Sequence, residues 1–431
     1  MTENALAPTP ATARARRPGL RLALLLTLVA GPAAAQYRAA GSDLELFLNT
    51  KKELEKSMAD APWNIGAVRV APWIGLRDVA YVRELNASGE QQEGDLTITA
   101  GAGLKGYLPL GKNAIAAAHL MPEYAWWQRQ NERNAVVGRY GLGLFGWYNR
   151  LHGELTGRSS KTVDFLGSDA LVREPTQTVK IEAKAQMRLV SSIALFASGA
   201  QNRVRVDSTS GTTTLDPALL LDRDSQTVRG GLRYLLRGDR GYVGAGALAE
   251  KTDFDAADGA RSNKGSSWYA ETFLRGNNLD VTVQYDQRDL EPADSTFPGY
   301  RAANGNASVL FHPGWRIQYQ LYALRQLRYS ARDLNTFSEE ERAGGGVKVA
   351  IGRGALQLYY ESGDDNYFGA STRHESVTGR GGWIDLAVFK NLKMRIGGRE
   401  TKFEPDGGGP PRELKEVTGA LSLTLGEPGE W

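Results

Sequence analysis

Few residues in this chain are spaced as catalytic or ligand groups usually are. "GAGLKG", Gly101 to Gly106, has the GxGxxG spacing that lets a backbone approach a pyrophosphate. Such a cradle must lie between a strand and a helix. Here the glycines sit inside an alternating run, with Leu96, Ile98, Ala100, Ala102 and Leu104 set against Thr97, Thr99 and Lys105. They read as strand glycines. The four histidines, at 119, 152, 312 and 374, show no HExxH or other ligand spacing, and read as wall or loop residues. No cysteine is present, which removes disulfides, thiolate metal sites and cysteine nucleophiles. No GxSxG elbow occurs either. Asp255, Asp364 and Asp365 lie in acidic stretches that could bind calcium or bridge lipopolysaccharide, but acidic loops are ordinarily just solvated. The expectation is therefore no catalytic residue, no metal and no cofactor.

What does recur is charge at every second position. In "TVKIEAKAQMRLV", Val179, Ile181, Ala183, Ala185, Met187 and Leu189 alternate with Lys180, Glu182, Lys184, Gln186 and Arg188. Its composition favours a helix, yet residues two apart on a helix point about 200° apart and scatter the apolar set. As a strand it has one apolar face and one charged face. The same pattern runs through "TVRGGLRYLLRG", "NLDVTVQYDQR" and "NLKMRIGGRETK". Taken by phase, the charged face includes Arg69, Lys105, Arg139, Arg158, Lys180, Lys184, Arg188, Arg229, Arg233, Arg237, Arg316, Lys348, Lys393, Arg395 and Arg399. Its acidic members are Glu154, Glu182, Glu271, Asp280 and Asp286. Basic rings in a pore favour anions. Equally, such charges can simply solvate a wall and pair across strands.

The elements that carry these faces are punctuated unevenly. Tight turns, such as "GKN" at 111–113, "NRL" at 149–151, "GRG" at 352–354 and "KN" at 390–391, alternate with longer polar connections. The longer ones include "NASGEQQEG", "DSTSGTTTLDPALLLDRD" and "ESGDDNYFGASTRH". Short turns at one end and long loops at the other is the layout of a transmembrane β-barrel, with the short turns periplasmic. Aromatics gather near both ends: Tyr107, Trp147, Tyr148, Tyr242, Phe311, Trp315 and Phe389 beside the short turns, and Trp126, Trp127, Trp268, Tyr285, Tyr329 and Tyr360 near the loops. Two interfacial girdles would look like this, although aromatics favour strands in any setting.

The fold class expected is all-β: a closed antiparallel transmembrane β-barrel of about eighteen strands, with sixteen as the alternative, preceded by a short helix. A soluble sandwich also has strands with one wet face. Strands of about 12–15 residues exceed the usual soluble length, and an open edge is not tolerated in lipid. Barrels of this size keep an aqueous interior.

The N-terminus gives the address. Arg14, Arg16, Arg17 and Arg21 precede an apolar run from Leu22 to Ala30 and the small residues Ala33 to Ala35. That is a secretory signal peptide, with cleavage before Gln36. Of the 52 basic and 49 acidic residues, the first 35 positions hold four and one, leaving 48 of each. A neutral mature chain gives no signal for nucleic acid as a partner. The expected organisation is a signal peptide over 1–35, an N-terminal segment over 36–64, a barrel over 65–426 and a tail over 427–431. Within the second segment, Ser42 and Glu45 are spaced as a capping box, and Leu44, Phe47, Leu48, Leu54 and Met58 predict an amphipathic helix over 43–58. That helix is a candidate plug or partner-docking element.

"GAVRVAPWIGLRDVAYVRE", Gly66 to Glu84, resembles the opening strand of outer-membrane β-barrel porins associated with exopolysaccharide export. In those an alternating run with a central proline begins the barrel. The resemblance implies a Gram-negative outer membrane, lipid and lipopolysaccharide as surroundings, and periplasmic polysaccharide-export proteins as candidate partners. Function is expected to be passage of a polysaccharide or other polar, anionic substrate through a porin. The alternatives are a general or substrate-selective diffusion porin for small solutes and, third, an outer-membrane enzyme or structural barrel with a blocked lumen.

Overall fold

A computed structural model describes residues 50–84, 94–165, 173–207, 220–236, 240–255, 261–314, 316–330, 335–369, 372–389, 392–407 and 411–423. The expected signal peptide over 1–35, residues 43–49 of the expected helix, Arg237, Trp315 and the expected tail over 427–431 lie outside them. What remains of the helix is α1, Thr50–Asp60, ending just before Pro62. A three-residue strand, β1 (Trp63–Ile65), turns through Gly66 (φ 61°) and pairs back on β2 (Val68–Glu84).

Seventeen further strands follow. They are β3 (Asp95–Pro109), β4 (Ala114–Trp127), β5 (Ala135–Tyr148), β6 (Leu151–Phe165), β7 (Arg173–Arg188) and β8 (Ile193–Val206). Next come β9 (Arg223–Leu235), β10 (Gly241–Phe254), β11 (Asn263–Arg275), β12 (Leu279–Pro292), β13 (Tyr300–Phe311) and β14 (Ile317–Tyr329). The last are β15 (Asn335–Ile351), β16 (Gly354–Gly369), β17 (Arg373–Phe389), β18 (Leu392–Pro405) and β19 (Arg412–Leu423).

Each strand from β2 onward pairs antiparallel with the next, and β19 pairs with β2 through Leu414↔Glu84 to Gly419↔Val79. The eighteen strands β2–β19 thus form a closed ring, with β1 as a short extension beside β2. Closure satisfies the backbone without leaving an edge, as lipid requires. Alternation then sorts the side chains. Ile181 and Leu232 point outward, 52% and 53% exposed, and Leu104, Leu142, Leu155, Val228, Leu321 and Ile396 share that outer face. An apolar belt around a polar interior is the build of a barrel in the outer membrane of a Gram-negative bacterium.

The tight connections are mostly where the sequence puts them. Asn149, at φ 50°, makes the two-residue turn between β5 and β6, and Gly352, at φ 59°, the one between β15 and β16. Left-handed residues here match the twist of the flanking strands. One expected loop is mostly strand: "ESGDDNYFGASTRH" continues β16 to Gly369 and begins β17 at Arg373. Its Asp364 and Asp365 pair in register with Glu341 and Glu340 of β15. The acidic run reads as a loop, but cross-strand pairing keeps it extended.

Candidate functional site: the lumen wall

The register fixes which residues look inward. Tyr107 faces in, so its cross-strand neighbour Arg69 lies on the inner face, followed by Lys105 opposite Ala71. On β5 to β7 the inner face carries Arg139, Glu154, Arg158, Lys180, Glu182, Lys184 and, at the strand end, Arg188. Arg229, Arg233, Glu271, Asp280 and Asp286 hold the same phase on β9, β11 and β12. So do Lys348, Arg395 and Arg399 on β15 and β18. Lys393 occupies an inner register position opposite Ala387. Arg316 lies just ahead of β14, exposed in the short connection rather than on a strand.

These charges are paired more than phase alone suggests. Glu271, 2% exposed, accepts from Arg229 at 2.9 Å and from Arg233 at 2.8 Å. Arg233 is 4% exposed, lies over the Phe196 and Tyr242 rings at 3.8 and 4.3 Å, and donates to Gln186. Planar guanidinium suits such stacking. Glu182 joins Lys180 at 3.1 Å and Lys184 at 3.2 Å. Buried ions must be paired, because desolvation costs more than an isolated charge can recover. Within this ladder Lys180 keeps 40% of its side chain accessible and remains open to a solute.

The opposite arc carries acids that alternation in the sequence did not single out. Glu250, Glu340, Glu361, Asp365 and Glu375 all lie on the inner face. Arg342 binds Asp365 at 2.6 Å, Arg412 pairs with Glu375, and the Tyr322 hydroxyl donates to Glu361. They escaped notice because runs such as Glu339-Glu340-Glu341 and Asp364-Asp365 hide their phase. The lumen is therefore segregated: cations dominate from β3 to β9, and anions from β10 to β17.

Two elements stand inside the ring. At the short-turn end, Leu54 of α1 packs on Tyr107, Ile115, Ala117 and Phe145, with Met58 and Trp147 beside it. Lys51 lies over the Trp147 ring, and Ser57 hydrogen-bonds Tyr107. The helix is seated on the inner wall. At the loop end, β13 and β14 pair only from Gly305↔Arg325 to Phe311↔Tyr319. Beyond Arg325, β14 leaves β13 and turns inward. Tyr329 meets Phe254 edge-on at 5.0 Å, donates to Asn263, and packs with Val206, Leu220 and Leu221. Those partners belong to the inner ends of β8, β10 and β11 and to the connection before β9. Arg261 fastens the arrangement, donating to the carbonyls of Leu220 and Ser330 at 2.7 Å each. The hairpin end thus narrows the lumen from within.

That geometry corrects part of the aromatic assignment. Tyr148, Phe311 and Phe389 at one end, and Trp126, Trp268 and Tyr360 at the other, do face outward. Tyr107, Trp147, Tyr242, Trp127 and Tyr329 face inward, the first two as the seat of α1. Height along a strand does not show which side of the wall a ring takes; phase does, as for Tyr107 two residues from inward Lys105. Outside the strands, burial holds the Asp222 carboxyl above its usual range, although its Oδ1 accepts the Val206 N–H at 2.7 Å.

No protein-family model matches the chain, and no curated protein does. Among solved structures it is similar to OccK2 of Pseudomonas aeruginosa in complex with glucuronate, with TM-score 0.47, 10% identity, and coverage of 83% of this chain and 98% of that one. A BenF-like porin from Pseudomonas fluorescens gives TM-score 0.48 and 11% identity over 82% and 98% of the two chains. A bacterial polysaccharide outer-membrane secretin gives TM-score 0.35 and 11% identity over 84% and 99%. At these scores the fold rests on the strand register of this chain itself.

Proposed function

We propose that the chain is an outer-membrane channel for small polar solutes, a substrate-selective diffusion porin with a preference for anions. One observation carries this reading: a closed eighteen-strand ring puts an apolar belt toward lipid and a charged, segregated wall inside. A ring of this size encloses water. Lys180 on the basic arc, with 40% of its side chain accessible, is placed to meet a passing anion. Polysaccharide export, implied by the resemblance of the opening strand, draws no support from the comparisons and stays a second reading.

Purified full-length protein in planar bilayers tests this. Stepwise conductance is expected, with a reversal potential in a KCl gradient displaced toward chloride. Absence of conductance, both in the whole chain and after removal of residues 50–60, overturns the channel reading. A potential displaced toward potassium overturns the anion preference.

A further inference from the structure

On the wall formed by β16 to β18, across the ring from Arg229 and Arg233, two lumen-facing rings lie parallel. Tyr359 and Trp383 have centroids 5.2 Å apart and planes within 8°. Outward-facing Leu358, Tyr360 and Ile384 flank them in sequence, which puts both rings on the inner face. Both are half-buried, so part of each remains open to the lumen.

The neighbouring strands are cut back to seat them. A Cβ at Gly381 would stand 2.4 Å from the Tyr359 ring, and one at Gly397 would stand 2.4 Å from the Trp383 ring. The rings therefore rest against glycine backbone on one side. Around them the same face carries hydrogen-bonding groups. Gln357 is opposite Trp383, Lys348 is opposite Gln357, and Asp385 is two residues along from Trp383 and accepts from Arg395 Nε and Nη2 at 2.5 and 3.1 Å. The arrangement is an aromatic shelf with a polar rim.

A pyranose has the complementary surface: an apolar C–H face and a rim of hydroxyls. Lying on the shelf, it covers the rings with its C–H face while its hydroxyls reach the rim. Sites of this kind pair apolar contact with a few oriented polar groups. We infer that Tyr359 and Trp383 form a sugar-binding subsite in the lumen, and that the solutes this channel selects include carbohydrates. The inference rests on the channel reading and deepens it. Locking β16 to β17 by ring-on-glycine packing is the other use of the same rings, and the test must separate the two.

Maltotriose, being neutral, probes the shelf without engaging the basic arc. Added to wild-type channels in planar bilayers, it is expected to interrupt the current reversibly and in proportion to its concentration. Trp383→Ala and Tyr359→Leu are each expected to shorten the interruptions roughly three- to tenfold, the worth of one aromatic contact. Trp383→Phe should retain most of the blocking. A purely structural role would alter heat-resistant migration on gels but not blocking by the folded channel. Current without interruption up to the solubility of maltotriose overturns the sugar site and leaves the channel standing. Wild-type blocking in folded Trp383→Ala and Tyr359→Leu does the same. Absence of any current refutes the channel reading instead.

Discussion

Glu271 is the residue on which the basic ladder turns. Two guanidiniums converge on it inside the wall, and its side chain is almost wholly enclosed. Glu271→Gln keeps the shape but leaves Arg229 and Arg233 uncompensated, so destabilisation of about 3–5 kcal/mol is expected. Urea unfolding in detergent, followed by tryptophan fluorescence, measures it; a loss below 1 kcal/mol would mean that water reaches the pair freely. Asp222 supplies a pH dependence of opposite sign to that of a salt-bridged acid. Its folded pKa lies above the unfolded value because burial penalises the carboxylate. Stability therefore rises as pH falls through the folded pKa and is lost above it. Relative to Asp222→Asn, the wild type should gain thermal stability as pH falls from neutrality toward the ordinary carboxylate range. A flat difference would show that Asp222 is fully solvated.

At the scale of elements, α1 and the β14–β15 hairpin decide how much of the lumen is free. Leu54 is the anchor of α1, and burying a leucine contributes about 2 kcal/mol. Deleting residues 50–60, or placing glutamate at 54, should raise single-channel conductance. Unchanged conductance would show that the helix lies flat enough not to obstruct ions. The helix was legible from its apolar spacing, and the strands from their period of two. The tight turns were legible too, because asparagine and glycine mark them. The inward course of β14 was not. "IQYQLYALRQLRY" puts Arg325 on its otherwise apolar face where the strands part, then resumes with Leu327 and Tyr329, and nothing local says that its end will dock on Phe254 and Asn263 rather than stay beside β13. That choice is made by residues far away in sequence.

For the whole molecule, the two faces of one strand predict opposite responses. Leu232→Arg puts a cation into the lipid belt, and about 2–4 kcal/mol of stability should be lost near the midplane. Refolding into phospholipid vesicles measures it, and a neutral result would move Leu232 out of the belt. Lys180→Gln, on the inner face of β7, should leave stability unchanged while shifting the reversal potential toward potassium. An unshifted potential would mean that the basic arc does not touch the permeating ions. Closure, strand number and phase were readable in the sequence because a membrane barrel must repeat one pattern all the way round. The separation of charge into two arcs was not, since consecutive acids such as Glu339 to Glu341 mask their own phase. Nor was the Tyr359–Trp383 shelf, because its members meet only across neighbouring strands.

The early parting of β13 and β14 has a mechanical meaning. Above Gly305↔Arg325 no backbone ladder ties the hairpin to β13, and what holds it on that side is a short set of side-chain contacts. These include Tyr300 to Glu339 at 2.7 Å, Arg325 to Glu339 at 3.0 Å and Arg261 to Ser330. Parting that end from β13 breaks these contacts and no pairing on that side. On the other side β15 stays laddered to β16 from Phe337↔Phe368 onward, so one edge of the hairpin is a latch and the other a hinge. The outer throat on the β13 side is therefore set by side-chain packing rather than by strand pairing.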